Sequence, residues 1–132
     1  MTESWSSYLW IGVGGALGGM GRFWISGWIA HRIGEIFPWG TLTVNVSGSL
    51  LIGLLAALTG PDSRFLVNPR VAQFLMVGLC GGYTTFSSFS IQTLNLMREG
   101  EWFYASANAV LSLLLCLAAV WIGYVLGQMF NR

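Results

Sequence analysis

The chain has 132 residues, of which 55% are hydrophobic and 8% charged; it has no lysine, six arginines, five acids and a formal net charge of +1. An average soluble domain carries roughly a quarter charged residues, and a small domain has too much surface for its volume to leave that surface apolar. The composition excludes a soluble globular domain and points to an integral membrane protein whose first partner is the lipid bilayer; nucleic acid is not expected as a partner.

In chain order, the first five residues, Met1-Thr2-Glu3-Ser4-Trp5, carry an acid and no base. They lack the basic region of a cleavable signal peptide, so the first apolar stretch is expected to stay in the mature protein. A helix needs roughly 20 apolar residues to cross the hydrocarbon core. Four stretches qualify, at about 5–30, 41–58, 71–97 and 103–130. The expectation is an all-α membrane protein, with residues 1–132 forming a single four-helix transmembrane domain. The gaps collect Arg32 and Glu35, then Asp62, Arg64 and Arg70, then Arg98, Glu99 and Glu101. Pro38, Pro61 and Pro69 fall at the same boundaries, where a missing N–H costs little. Trp5, Trp10, Trp28, Trp39, Trp102 and Tyr104 sit near the proposed ends, as interfacial aromatics do.

With four spans, Arg64, Arg70 and Arg132 share one side of the membrane, and Arg22, Arg32 and Arg98 the other. Orientation follows an excess of basic residues on the cytoplasmic side, and an even split supplies none. Such a chain is expected to insert both ways and to pair with its own inverted copy. Glycine pairs four apart (Gly14 and Gly18, Gly15 and Gly19, Gly78 and Gly82, Gly123 and Gly127) mark faces where helix backbones approach closely. The run at 12–18 superficially resembles a dinucleotide fingerprint, but it follows no strand and Leu17 holds the last glycine position.

The third span is anomalous. Val71 to Cys80 reads as ordinary apolar helix, and Gly81-Gly82-Tyr83-Thr84-Thr85-Phe86-Ser87-Ser88-Phe89-Ser90 follows. Eight of the fourteen residues from Thr84 to Met97 are Thr, Ser, Gln or Asn, a cluster that begins near mid-membrane. Lipid cannot satisfy such groups, so they face protein or water. The two glycines predict a helix stop, and Thr84 and Thr85 caps for a restart. A break at mid-depth leaves carbonyls free for a cation and N–H groups free for an anion. Phe86 and Phe89, three apart, share a face of the restarted helix, and the positive edge of a benzene ring can coordinate an anion weakly. Thr85, Ser87 and Ser88 add hydroxyl donors. Asn45, inside the second span, serves either as interhelical glue or as an anion ligand. In the fourth span Ser106, Asn108 and Ser112 form a sparse polar track, with Asn108 and Ser112 on one face.

No acid lies deep in a span, which argues against an exchanger coupled through a membrane carboxylate. His31, the one histidine, stands at a helix end, and Cys80 and Cys116 read as free thiols in apolar stretches. No nucleophile–base pair or metal-ligand cluster is visible, so an enzyme is not expected.

Gly40-Thr41-Leu42-Thr43-Val44-Asn45, the Gly81–Ser90 run and Gly18 to Arg22-Phe23 together resemble the Fluc (CrcB) family of fluoride channels, over nearly the whole chain and in the same helix order. The resemblance implies an antiparallel dual-topology homodimer in the inner (plasma) membrane of a microbe, passively exporting cytoplasmic fluoride through two pathways. It implies Phe86 and Phe89 as pore-lining rings, Asn45 as a polar ligand, Ser112 on the fourth-helix track and Arg22 at the vestibule mouth. It also implies a structural, non-conducted sodium ion (Na+) at the dimer centre, held by the backbone carbonyls of Gly81 and Thr84. Three positions depart from the family pattern: Gln92 stands where many relatives have Glu, Asn108 where some have Tyr, and Cys116 where several have Ser. A small multidrug exporter matches the size and helix count, but relies on a membrane-embedded Glu that this chain lacks. A membrane scaffold docking a partner through the polar third helix is the other alternative.

Overall fold

The computed structural model describes residues 4–132; Met1, Thr2 and Glu3, on which the signal-peptide expectation rests, lie outside them. The described residues are all-helical. Helix α1 spans Trp5–Ile33 and α2 Trp39–Thr59. The third helix is in two parts, α3 over 69–83 and α4 over Phe86–Arg98, and α5 spans Trp102–Phe130.

Local chemistry sets the ends. Helix α1 stops at Gly34, whose φ of 106° only glycine adopts readily and whose N–H closes on the Ala30 carbonyl at 2.8 Å. Pro69 opens α3 at the position where its missing N–H would be unpaired anyway, and Asn68 accepts from the Arg70 amide at 2.9 Å. Two carbonyls near the end of α2 find side chains: Asn131 Nδ2 donates to Ala57 and the Ser63 hydroxyl to Leu58, both at 2.7 Å.

Packing is pairwise, α1 against α3 and α2 against α5, with α4 leaning on α5. The α1–α3 seam interlocks two glycine pairs, Gly14 and Gly18 with Gly78 and Gly82. A Cβ at Gly18 would overlap the Leu79 carbonyl, and one at Gly14 would come within 2.6 Å of the Phe74 carbonyl. This is the close backbone approach that small residues allow.

The interior is small and partly polar, and the exterior is large and apolar. Val44, Ala57, Ala105 and Ala119 are buried beside Thr41, Thr93, Asn108 and Ser112, while Leu113, Leu114, Leu117 and Trp121 stand exposed on α5. Water would penalise that outer surface, but hydrocarbon does not. Among the described residues three helices are long and apolar enough to cross a membrane: Trp39–Thr59, Pro69–Arg98 and Trp102–Phe130, with mean hydropathies of 1.8, 1.3 and 2.5. Helix α1 has the length, at 29 residues, but its glycines and Arg22 dilute its apolarity.

The third helix differs from expectation in two ways. Gln73–Cys80, expected as ordinary α-helix, is a π-helix, a rare form that is frequent at functional sites; no residue in the segment marks it in the sequence. Nor do the two glycines end the helix. Gly81 has φ −63° and ψ −37°, and the α-helix runs through Gly81–Tyr83. Gly82 stays helical because its bare face packs on the Gly15 backbone. The interruption falls at Thr84 and Thr85, both extended, with ψ of 154° and 113°.

Candidate functional site

The break is held open by a small set of polar contacts. Thr84, expected to cap the restart, instead turns back: its amide and its hydroxyl each donate to the Cys80 carbonyl at 2.9 Å. Thr85 is the cap. Its Oγ1 accepts from the Ser88 amide at 3.1 Å, the bond that starts α4.

From α2, Asn45 clamps the same residue at two points. Its Oδ1 accepts from the Thr85 amide at 2.7 Å, and its Nδ2 donates to the Thr85 carbonyl at 3.0 Å. Asn45 therefore acts as interhelical glue, with one N–H of its Nδ2 group left over. Gly48, one turn on, allows the approach, since a Cβ there would overlap the Thr84 side chain. Ser47 and Tyr83 share a hydroxyl–hydroxyl bond of 2.9 Å on the other flank.

These bonds decide which backbone groups are free. In a continuous helix the Thr85 amide would serve the Gly81 carbonyl, and the Ser88 amide the Thr84 carbonyl. Here the first is taken by Asn45 and the second by Thr85 Oγ1. Among the described residues neither the Gly81 nor the Thr84 carbonyl has another donor, and the amides of Phe86 and Ser87 have no acceptor. Free carbonyls on one side and free amides at the N-terminus of α4 are the two halves of a broken helix dipole.

Beside the break lies a cavity of about 510 Å3. Asn45, Gly48, Ser49 and Ile52 line it from α2, Thr84 and Thr85 from the break, Phe86 and Phe89 from α4, and Ala109, Ser112, Leu113, Cys116 and Leu117 from α5. Among the described residues no charged side chain lines it. The Phe86 and Phe89 rings pair at 5.3 Å between centroids and 52° between planes, and Phe86 is 78% exposed. Asn45, Thr85, Phe86, Phe89 and Ser112 are thus brought together. Ser87 and Ser88 adjoin through Thr85, at 3.2 and 3.1 Å from its Oγ1. Arg22, on α1, does not line the cavity.

Sequence reasoning missed Thr93 and underweighted Asn108. The Thr93 hydroxyl donates to the Phe89 carbonyl at 2.7 Å, and Asn108 Nδ2 donates to Thr93 Oγ1 at 2.9 Å. The available signals were Thr93 standing four residues after Phe89 and an asparagine inside a leucine-rich span. Gln92 faces elsewhere. With Glu35, Asn95 and Glu99 it lines a second cavity of about 360 Å3, and its Oε1 is buried without a partner.

The arrangement defines a class: an α-helical membrane protein with an interrupted span, whose uncharged polar and aromatic residues surround a cavity at the break. Residues 9–124 match the model of the CrcB-like protein, Camphor Resistance (CrcB), family. A Methylocella silvestris protein named fluoride-specific ion channel FluC is 56% identical over 125 residues, which is 95% of each chain. Proteins of the same name from Rhodospirillum rubrum and Opitutus terrae are 55% and 58% identical, the first over 96% of this chain and 98% of its own, the second over 91% of each. The chain belongs to the CrcB family.

Proposed function

We propose that the protein is a fluoride-selective passive channel that lets cytoplasmic fluoride leave across the inner (plasma) membrane. The observation that carries this reading is the match, over nearly the whole chain, to relatives named fluoride-specific ion channels. The uncharged cavity at the helix break supplies the chemistry.

Fluoride holds its hydration shell tightly, so a pore must replace that water with donors weak enough to release the ion again. The free N–H of Asn45, the amides of Phe86 and Ser87, the hydroxyls of Ser87 and Ser88 and the edges of Phe86 and Phe89 form such a set. Each is modest, and none carries a full charge. Thr85 serves by capping α4 and orienting Ser88, Ser112 lines the opposite wall, and Arg22 attracts the anion towards the mouth. Chloride, being larger, is refused by a passage that the Asn45 clamp keeps narrow.

Four spans, including α1, and an antiparallel homodimer complete the reading. One protomer gives the cavity walls on the side of α2, α4 and α5 only, and Phe86 stands exposed. The even division of arginines supports insertion in both orientations. The Gly81 and Thr84 carbonyls, each without its helical donor, suit a hard cation such as sodium. Two such pairs facing across a two-fold axis would hold it, and its charge would tie the two breaks together.

Purified protein in liposomes should release fluoride at rates far above its chloride release. Equal release of the two ions, or full activity after Phe86→Ala, would contradict the proposal.

A further inference from the structure

Between α4 and α5 a chain of three side chains has a direction fixed by its geometry. The Thr93 hydroxyl donates to the Phe89 carbonyl at 2.7 Å, the back-bond a threonine makes one turn up a helix. A hydroxyl has one proton, so Thr93 Oγ1 meets Asn108 only as an acceptor. The Asn108 amide must then turn its Nδ2 to Thr93, at 2.9 Å. Its Oδ1 is left facing Ser112, whose hydroxyl donates to it at 3.3 Å. The short Thr93 bond sets the orientation of the amide. Asn108 is 2% exposed, while Ser112 reaches the cavity wall.

We propose that Asn108 is a positioning residue for the pore. It sets the direction of this chain, tying the Phe89 turn of α4 to α5 and drawing the Ser112 proton away from the cavity. The α5 wall then offers the passing anion the Ser112 lone pairs, apolar groups and only the weak Cys116 thiol, and the stronger donors come from α2 and the start of α4. The anion is thereby kept against Asn45 and the ring edges. This inference rests on the fluoride-channel reading above. Asparagine suits the position because it donates and accepts at once; a residue that only accepts would break the chain at Thr93.

Asn108→Asp gives a readout that a packing role would not. With its proton, the introduced acid donates to Thr93 Oγ1 and accepts from Ser112, as the amide does; once ionised it can only accept. Among the described residues the one titratable group on the cavity wall is Cys116. Tyr104 lies one turn before Asn108 on α5, and Arg98, Glu99 and Glu101 lie at the α4–α5 turn.

In liposomes, with the leak of protein-free vesicles subtracted, Asn108→Asp should pass fluoride near the wild-type rate at low pH. It should lose roughly tenfold or more as the acid ionises, while the wild-type protein keeps its rate over the same range. Thr93→Val, of the same shape without the hydroxyl, should lower flux at every pH, and Thr93→Ser should restore it. An Asn108→Asp flux that stays low even at low pH, where the acid keeps its proton, or full flux through Thr93→Val, overturns the proposal. A wild-type protein that passes no fluoride overturns the channel reading instead. The chain is then judged by thermal unfolding, where Thr93→Val and Asn108→Ala should shift the midpoint non-additively; additive shifts count against it.

Discussion

Asn45 closes two hydrogen bonds on the backbone of Thr85, one in each direction, and so satisfies an amide and a carbonyl that hydrocarbon would leave stranded. Asn45→Leu removes both. Interhelical side-chain bonds in membranes contribute about 0.5–2 kcal/mol each, so the expected loss is a lower unfolding midpoint together with a roughly tenfold or greater fall in fluoride flux. Asn45→Asp keeps the shape but sets a carboxylate against the Thr85 carbonyl and the anion, and its flux should fall further than its stability. Cysteines give a second residue-scale prediction. Cys116 lines the cavity, whereas Cys80 is 1% exposed. A charged methanethiosulfonate reagent should inhibit fluoride flux by modifying Cys116, and Cys116→Ser should abolish the reagent's effect. Mass spectrometry should find Cys80 unmodified in the folded protein.

At the scale of elements, the break depends on close contacts that tolerate no side chain. Gly48 lets α2 reach Thr84, and Gly18 lets α1 reach the last turns of α3. Gly18→Val must push the two helices apart against the Leu79 carbonyl; overpacking of this kind costs about 1–3 kcal/mol. Thermal unfolding in detergent should register that loss, and fluoride flux should fall with it because the glycine seam positions Tyr83 and Thr84. Much of this was legible beforehand. The glycine spacing marked faces of close approach, though not which helices they join, and the hydroxyl run beginning near mid-membrane marked the interruption. The site of the break was not legible. Gly81-Gly82 looked like a stop, but both stay helical, Gly82 because it packs on the Gly15 backbone, and the extended residues are the threonines that Asn45 and the Cys80 carbonyl hold. The π-helix at Gln73–Cys80 and the Thr93–Asn108 bond depend on how α3 and α4 meet their neighbours, and a one-dimensional pattern carries neither.

For the whole molecule, the buried set of small and polar residues and the exposed leucines of α5 fit a lipid surround. Single-molecule photobleaching in liposomes should count two copies per complex, and engineered cysteine pairs should trap antiparallel copies; exclusive trapping of parallel copies would contradict the pairing. The Gly81 and Thr84 carbonyls predict that replacing sodium with a large organic cation weakens the dimer, read as a lower unfolding midpoint, without that cation being conducted. The central claim is fluoride selectivity, and its most direct measurement is ion-selective electrode recording of fluoride and chloride efflux from the same proteoliposomes. Rapid fluoride release, chloride release no faster than from empty vesicles and a loss of fluoride release in Phe86→Ala and Phe89→Ala are the predicted results. Chloride leaving as fast as fluoride, or no fluoride leaving at all, would contradict the account.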